Sequence, residues 1–325
     1  MTLADLEFID LLLRGPGNGQ ALLRRNGTHV SKIIPTPGEV ESDVNDLYKS
    51  CERKMEECKK DIFRLEHDSV TYRVTAESRA IIGNTTYTLR RCASSRPTLE
   101  SMEWPSSLTN KLINPALRGL ILITGPMGVG KTHSCGGLIV GRLNRHGGYA
   151  RTLEDPIELP LDGLYADGDH LGVCVQSEVE QNENGYAIAL RKAVRESPDI
   201  ILVGEVRDQW CAAELLRAGL LGHSVISTVH ADNVTGALER LRSFAKSTFG
   251  DETSAIMAEA ITAIVHIKDD SRKLEFLFLK DEAGCVTSAR SIVASGNFAQ
   301  LRSDINRQAH GIMRGGDDAV FGKQD

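Results

Sequence analysis

A chain of 325 residues with 41% hydrophobic content is long enough to build two ordinary cores. Its formal charge of −6 and 5% aromatic content argue against the basic face and stacking platform of a protein that coats nucleic acid. The seven cysteines are scattered without a C-x-x-C pair, and no run shows a secretory signal or approaches the ~20 apolar residues of a membrane span, so the sequence predicts reduced thiols in a cytosolic protein.

Thr2 to Asp5 has the form of a capping box, and Leu6, Ile9, Leu12 and Leu13 follow at helical spacing, so a short amphipathic helix is expected there. Asn26-Gly27 is a hairpin signal. From Val40 to Leu65 the residues Val40, Val44, Leu47, Cys51, Met55, Cys58 and Ile62 recur at intervals of three and four, which predicts one long helix with an apolar stripe. From Val70 the period changes to two: Tyr72, Val74 and Ala76 alternate with Thr71, Arg73 and Thr75. A Gly83-Asn84 turn then leads to a second strand, Tyr87 to Arg91. Arg73, Arg90 and Arg91 on these strands read most simply as solvated edge charges. The segment from Ser94 to Pro105 has the composition of a linker.

The apolar run Leu120 to Ile123 then leads into Gly125, Pro126, Met127, Gly128, Val129, Gly130, Lys131 and Thr132, which fits the phosphate-binding loop G-x-x-x-x-G-K-[ST] between a strand and a helix. Glycines let the backbone N–H groups turn inward toward phosphate oxygens, and the helix start adds a positive dipole end. The lysine can reach the β- and γ-phosphates, and the threonine hydroxyl can hold Mg²⁺. Strand-like and helix-like segments alternate beyond it, which predicts a parallel α/β sheet. Tyr149 to Leu153 is a strand running into Glu154, Asp155 and Glu158, and carboxylates at the C-terminal end of a strand lie where open α/β sheets place ligands. Tyr186 to Arg195 is an amphipathic helix. The apolar strand Ile200 to Val203 ends in Gly204-Glu205, and a carboxylate there supports Mg²⁺ or its water. His223 and His230 bracket one further strand.

Taken as a series, Thr152 to Glu158, Pro198 to Asp208 and Gly222 to His230 follow the loop in the order of an acidic box, an atypical Walker B and a histidine box. The chain resembles the PilT-type secretion ATPases of the GspE/PulE superfamily, relatives of the motors of type IV pili, type II secretion and type IV secretion. The resemblance is strong from about residue 110 to 245 and traceable before that, in Asn26-Gly27 and in the strands of Arg73 and Arg90, which are similar to a PAS-like domain. It implies an α/β fold: a PAS-like α+β domain over 1–95, a linker over 96–110, a RecA-like P-loop domain over 111–310, and a tail over 311–325 expected to be disordered from its Gly, Asp and charge content. It further implies a homohexameric ring that uses ATP and Mg²⁺, with nucleotide between the two domains of each subunit. In this reading Glu154 primes the attacking water and Glu205 is the Walker B carboxylate. His223 and His230 are the histidine-box pair, and Arg73 and Arg90, with Arg91 a rival, reach the phosphates. The motor is expected in the cytoplasm at the inner membrane, acting through platform proteins and not directly on nucleic acid.

Some features depart from the family's pattern. Gly204 stands where an aspartate is usual, the four-cysteine metal module of assembly motors is absent, and the charged helix and divergent tail differ from a standard retraction ATPase. The sequence therefore favours a conjugation or Dot/Icm-like type IV secretion ATPase over a pilus retraction motor. The rival classes are a RecA-like nucleic-acid translocase and a non-catalytic ATP-bound assembly protein.

Overall fold

The computed structural model describes residues 2–15, 21–25, 32–78, 84–167, 170–180, 182–268, 273–281 and 283–313. Residues divide into two compact units, one of Met1–Ser95 with Pro156–Pro160 and one of Arg96–Asp155 with Leu161–Asp325.

In the first unit the elements run β1 (Asp10–Leu13), β2 (Ala21–Arg25), β3 (Lys32–Pro35), α1 (Glu41–Cys58), β4 (Ile62–His67), β5 (Val70–Ser78) and β6 (Thr85–Arg91). The strands form one antiparallel sheet in the order β3-β2-β1-β6-β5-β4. Alternation puts Tyr72, Val74 and Ala76 inward with Tyr87 and Leu89, as the period of two predicts. Val44, Leu47, Tyr48 and Cys51 of α1 pack into the same core.

Two local expectations are corrected. The capping residues Thr2 and Asp5 do meet, with the Thr2 N–H donating to Asp5 Oδ2 at 2.8 Å, but they close only a single 3₁₀ turn. The leucines beyond it form β1, with Leu11 and Leu13 fully buried between β2 and β6. Ile9, Leu11 and Leu13 fit a period of two as well as Leu6, Ile9 and Leu13 fit a helix, and in so short a run the neighbouring strands decide. The long helix also stops at Cys58, where Lys59 turns into the left-handed region (φ 51°) with its N–H on Met55 O. Ile62 to Leu65 belong to β4, where Phe63 and Leu65 alternate inward and Ile62 outward. β2 and β3 pair as a hairpin, while its Asn26-Gly27 turn lies outside the described residues.

Charge is also organised across this sheet. Arg64, Arg73 and Arg90 stand opposite one another on β4, β5 and β6. Asp10, 3% exposed, holds Arg90 through Nε (2.8 Å) and Nη2 (3.2 Å) and pairs with Arg24 as well. This hydrogen bonding raises the Arg90 pKa above its ordinary value. Asp10→Ala should therefore lower the stability of this unit by about 1–3 kcal/mol, less than a fully buried pair would lose because both arginines can rehydrate. An unchanged denaturation midpoint would show that Asp10 is dispensable.

The second unit runs α2 (Ser106–Leu112), β7 (Gly119–Thr124), α3 (Lys131–His146), β8 (Gly148–Glu154), β9 (Gly163–Asp167), β10 (His170–Glu178), α4 (Gly185–Arg195), β11 (Ile200–Val203), α5 (Gln209–Leu220), β12 (Ser224–Val229), α6 (Val234–Phe249), α7 (Thr253–Ala260), β13 (Ile261–Ile267), β14 (Leu274–Phe278), α8 (Ser288–Ser295) and α9 (Arg302–Met313). Its sheet has the order β14-β13-β7-β12-β11-β8-β10-β9. The six inner strands are parallel, and β14 and β9 are antiparallel edges. β7, β11 and β12 are buried on both faces, as near-continuous apolar strands of a covered parallel sheet must be. This is the expected α/β class, a RecA-like P-loop domain after a small α+β unit.

The stretch expected as a linker, 96–110, is counted with this second unit and buries Met102, Trp104 and Leu108. It fits closely because α3 presents glycines to it: a Cβ on Gly137 would meet Met102 Sδ at 2.5 Å, and one on Gly141 would meet Leu99 Cγ at 2.5 Å. Of the expected tail, 311–313 end α9, and 314–325 lie outside the described residues.

Candidate nucleotide site

The loop after β7 needs its glycines for backbone reasons. Gly125, Gly128 and Gly130 have φ of 151°, 80° and 95°, and a Cβ on Gly125 would meet Ile267 O at 2.5 Å. Nothing lies within 4 Å of the Cβ positions of Gly128 and Gly130, so their requirement is conformational. Lys131 opens α3 and is 8% exposed. Its ammonium donates to Gly125 O at 2.9 Å and Pro126 O at 2.7 Å, and meets His230 Nδ1 at 3.2 Å. Burial lowers the lysine pKa, opposed by the nearby Glu205 carboxylate. An ammonium has only donors, so Nδ1 of His230 accepts. The ring proton then sits on Nε2, which faces Glu205 Oε1 at 3.3 Å.

From Glu205 the chain of contacts continues. Arg207 Nε donates to Glu205 Oε2 at 3.1 Å and its Nη1 to Asp155 Oδ2 at 3.0 Å. Lys131, His230, Glu205, Arg207 and Asp155 thus form one connected run along the C-terminal edge of β7, β12, β11 and β8. Glu154, at the end of β8 and 3% exposed, accepts from Thr152 Oγ1 at 2.6 Å and Gln176 Nε2 at 2.8 Å. At the Walker B departure a Cβ on Gly204 would make a tight contact, 3.1 Å from the Tyr186 hydroxyl, and Gly204 O accepts from Thr228 Oγ1 at 2.7 Å.

The sequence-predicted residues do not all gather here. His223 lies just before β12 at the opposite edge of the sheet, where its carbonyl accepts from Gly119 N–H at 3.1 Å. A strand of this length separates it from His230 by roughly 20 Å. Met127 and Pro126 are exposed at the loop tip, and Val129 and Thr132 are half-buried. In the first unit Arg73 pairs with Glu158, Arg90 with Asp10, and Arg91 donates to Leu3 O at 2.7 Å with its guanidinium over Phe8. Arg207 and Gln176 carry no role in the sequence reading, and Asp155 appears there only among the carboxylates that follow its strand. For Arg207 the available signal is its place two residues after Glu205, while Asp208 in the same motif is the N-cap of α5, accepting from Cys211 N–H at 2.8 Å.

The donor set fits a nucleoside triphosphate with Mg²⁺. A loop of glycines at positive φ, a helix start and a buried ammonium suit polyphosphate. The Thr132 hydroxyl and Glu205 carboxylate offer hard oxygen atoms of the kind Mg²⁺ takes. Among the described residues no group of three or more His, Cys, Asp or Glu is placed to hold a metal ion by itself.

The chain is similar to several known proteins. The type IV pilus ATPase PilU of Pseudomonas aeruginosa is 33% identical over 156 residues, 48% of this chain and 39% of that protein. The type IV pilus assembly ATPase PilB of Acinetobacter baylyi is 40% identical over 138 residues, 42% of this chain and 22% of that protein. The uncharacterized protein YggR of Escherichia coli is 36% identical over 188 residues, 58% of this chain and 53% of that protein. The chain thus matches less than two thirds of the length of each of these relatives. The fold is shared with solved structures. The pilus retraction motor PilT with bound ADP superposes with a TM-score of 0.70 at 24% identity, covering 99% of this chain and 95% of that one. The ATPase DotB of Legionella pneumophila superposes with a TM-score of 0.65 at 22% identity, covering 91% and 84%. Residues 62–297, a span that includes the whole connected run from Lys131 to Asp155, match the family described as type II/IV secretion system protein, and the chain belongs to that family.

Proposed function

We propose that this protein is a Mg²⁺-dependent ATPase whose subunits form a hexameric ring, and that the ring powers a type IV secretion or conjugation machine. It works from the cytoplasm through inner-membrane platform proteins, without contacting nucleic acid directly. The observation that carries the reading is the connected run from Lys131 through His230 and Glu205 to Asp155, which links the loop to the acidic box. Thr132 and Glu205 would hold Mg²⁺, Glu205 partly through water, and the cation would supply charge neutralisation at the phosphates. Lys131 stabilises charge on the β- and γ-phosphates. Glu154 orients and deprotonates the attacking water. His230 reports on Lys131 to Glu205. Arg73 and Arg90 supply the N-terminal arginines, and each must first leave its carboxylate. The half-exposed Glu158 releases Arg73 more cheaply than the buried Asp10 releases Arg90. A type IV pilus motor is the second reading, favoured by the identity with PilU and PilB.

Ring formation is tested by sizing in solution. With Mg²⁺ and a non-hydrolysable ATP analogue the protein should shift to a hexamer, because a ligand that favours one arrangement draws the population toward it. A monomer at all nucleotide states, at protein concentrations of about 10⁻⁵ M and above, would count heavily against the ring. Added DNA should leave turnover unchanged, and stimulation would favour the translocase class.

A further inference from the structure

Gln176 lies on β10 beside Thr152 of β8 in the parallel pairing. The two ends of its amide meet different groups. Oε1 accepts from the Asp162 N–H at 2.7 Å, and Nε2 donates to Glu154 Oε1 at 2.8 Å. The backbone N–H of Gln176 also donates to Asp162 Oδ1 at 2.9 Å. The amide cannot be reversed, because a backbone N–H can only donate, so the oxygen faces Asp162 and the amino group faces the carboxylate. Between Glu154 and Asp162 the chain makes an excursion, of which Pro156–Pro160 are counted with the first unit. Gln176 spans the mouth of that excursion and holds both of its ends.

We propose that Gln176 is a positioning residue for Glu154. The terminal torsion of a glutamate is broad and nearly two-fold, so a carboxylate in a cavity can rotate. Two donors on one oxygen, Thr152 Oγ1 and Gln176 Nε2, fix its plane and so the direction of the second oxygen. Donors to an ionised acceptor belong to the strong class of hydrogen bonds. Through Asp162 the same amide ties that direction to the returning end of the excursion. The inference rests on the role of Glu154 under the proposed function.

Gln176→Glu tests it with little change of shape. The variant keeps the length, the volume and the acceptor for Asp162, and it replaces the donor toward Glu154 by an oxygen. It should lower kcat about 100-fold while nucleotide affinity stays within about threefold of wild type. Gln176→Met, which removes both contacts, should lower kcat about 10-fold or more. Combining Gln176→Glu with Glu154→Gln should add no loss beyond Glu154→Gln alone, since the amide acts through that carboxylate. A Gln176→Glu protein that turns over within about threefold of wild type, while Glu154→Gln is inactive, overturns this inference and leaves the proposed function standing. If Glu154→Gln itself turns over like wild type, the role of Glu154 fails and Gln176 falls with it. Should Gln176→Glu not fold, Gln176→Met carries the same test, and a kcat within about threefold of wild type there also overturns the proposal.

Discussion

Lys131→Ala is expected to lower ATP turnover by about 10³-fold or more, because removing one preorganised charge from the reacting phosphates costs at least as much as losing a single oxyanion donor. The structure supports so large an effect. The ammonium is nearly buried, held by two loop carbonyls, and touches His230 Nδ1. The cation three contacts along the run from Lys131, Arg207, is already committed to Glu205 and Asp155 and cannot substitute. Lys131→Arg should fail as well, since a planar fork does not match the geometry of a compact ammonium. Stability should move the other way. Burial lowers the pKa of Lys131, so the folded protein carries a cost for keeping the charge. Without nucleotide, Lys131→Ala should melt at the same temperature as wild type or higher. Phosphate release, nucleotide binding and a melting curve on the same preparation check all three statements. A folded Lys131→Ala protein with wild-type turnover would remove the ATPase assignment.

Glu154→Gln and Glu205→Gln should both be nearly inactive, and they should differ in how. Glu154 is buried, with two donors on one oxygen, an arrangement suited to orienting a water. Its amide variant should keep ATP binding and metal dependence while losing about 10²-fold or more in kcat, the usual contribution of one general base. Glu205 instead sits between His230 and Arg207, a quarter exposed, where a carboxylate can turn toward a cation. Glu205→Gln should lose turnover and also need more Mg²⁺ to reach half its residual rate. Titrating Mg²⁺ against turnover in the two variants separates the roles. Coincident titrations would show that the division between water and metal is wrong.

Much of this molecule was legible in its sequence because the relevant signals are local. A strand buried on both faces is a short apolar run. In a parallel sheet the C-terminal ends of such runs share one edge, so the loop and the carboxylates after the strands could be placed together, while the roles of Glu154 and His230 came from the family resemblance. The glycines of the loop declare a backbone conformation that few other residues adopt. What the sequence alone did not settle turned on neighbours distant along the chain. The Asp10–Leu13 segment is a strand because β2 and β6 flank it, and Ile62 leaves the helix because Lys59 ends it and β5 offers a ladder. His223 and His230 bracket one strand in the sequence, yet a strand's two ends lie at opposite edges of a sheet, and only His230 reaches the loop. The contacts of Lys131 with His230, Arg207 with Asp155 and Gln176 with Glu154 join residues 99, 52 and 22 positions apart. They exist only because the order and register of β7, β12, β11, β8 and β10 bring those strand ends together, and no local pattern encodes a register between strands so far apart.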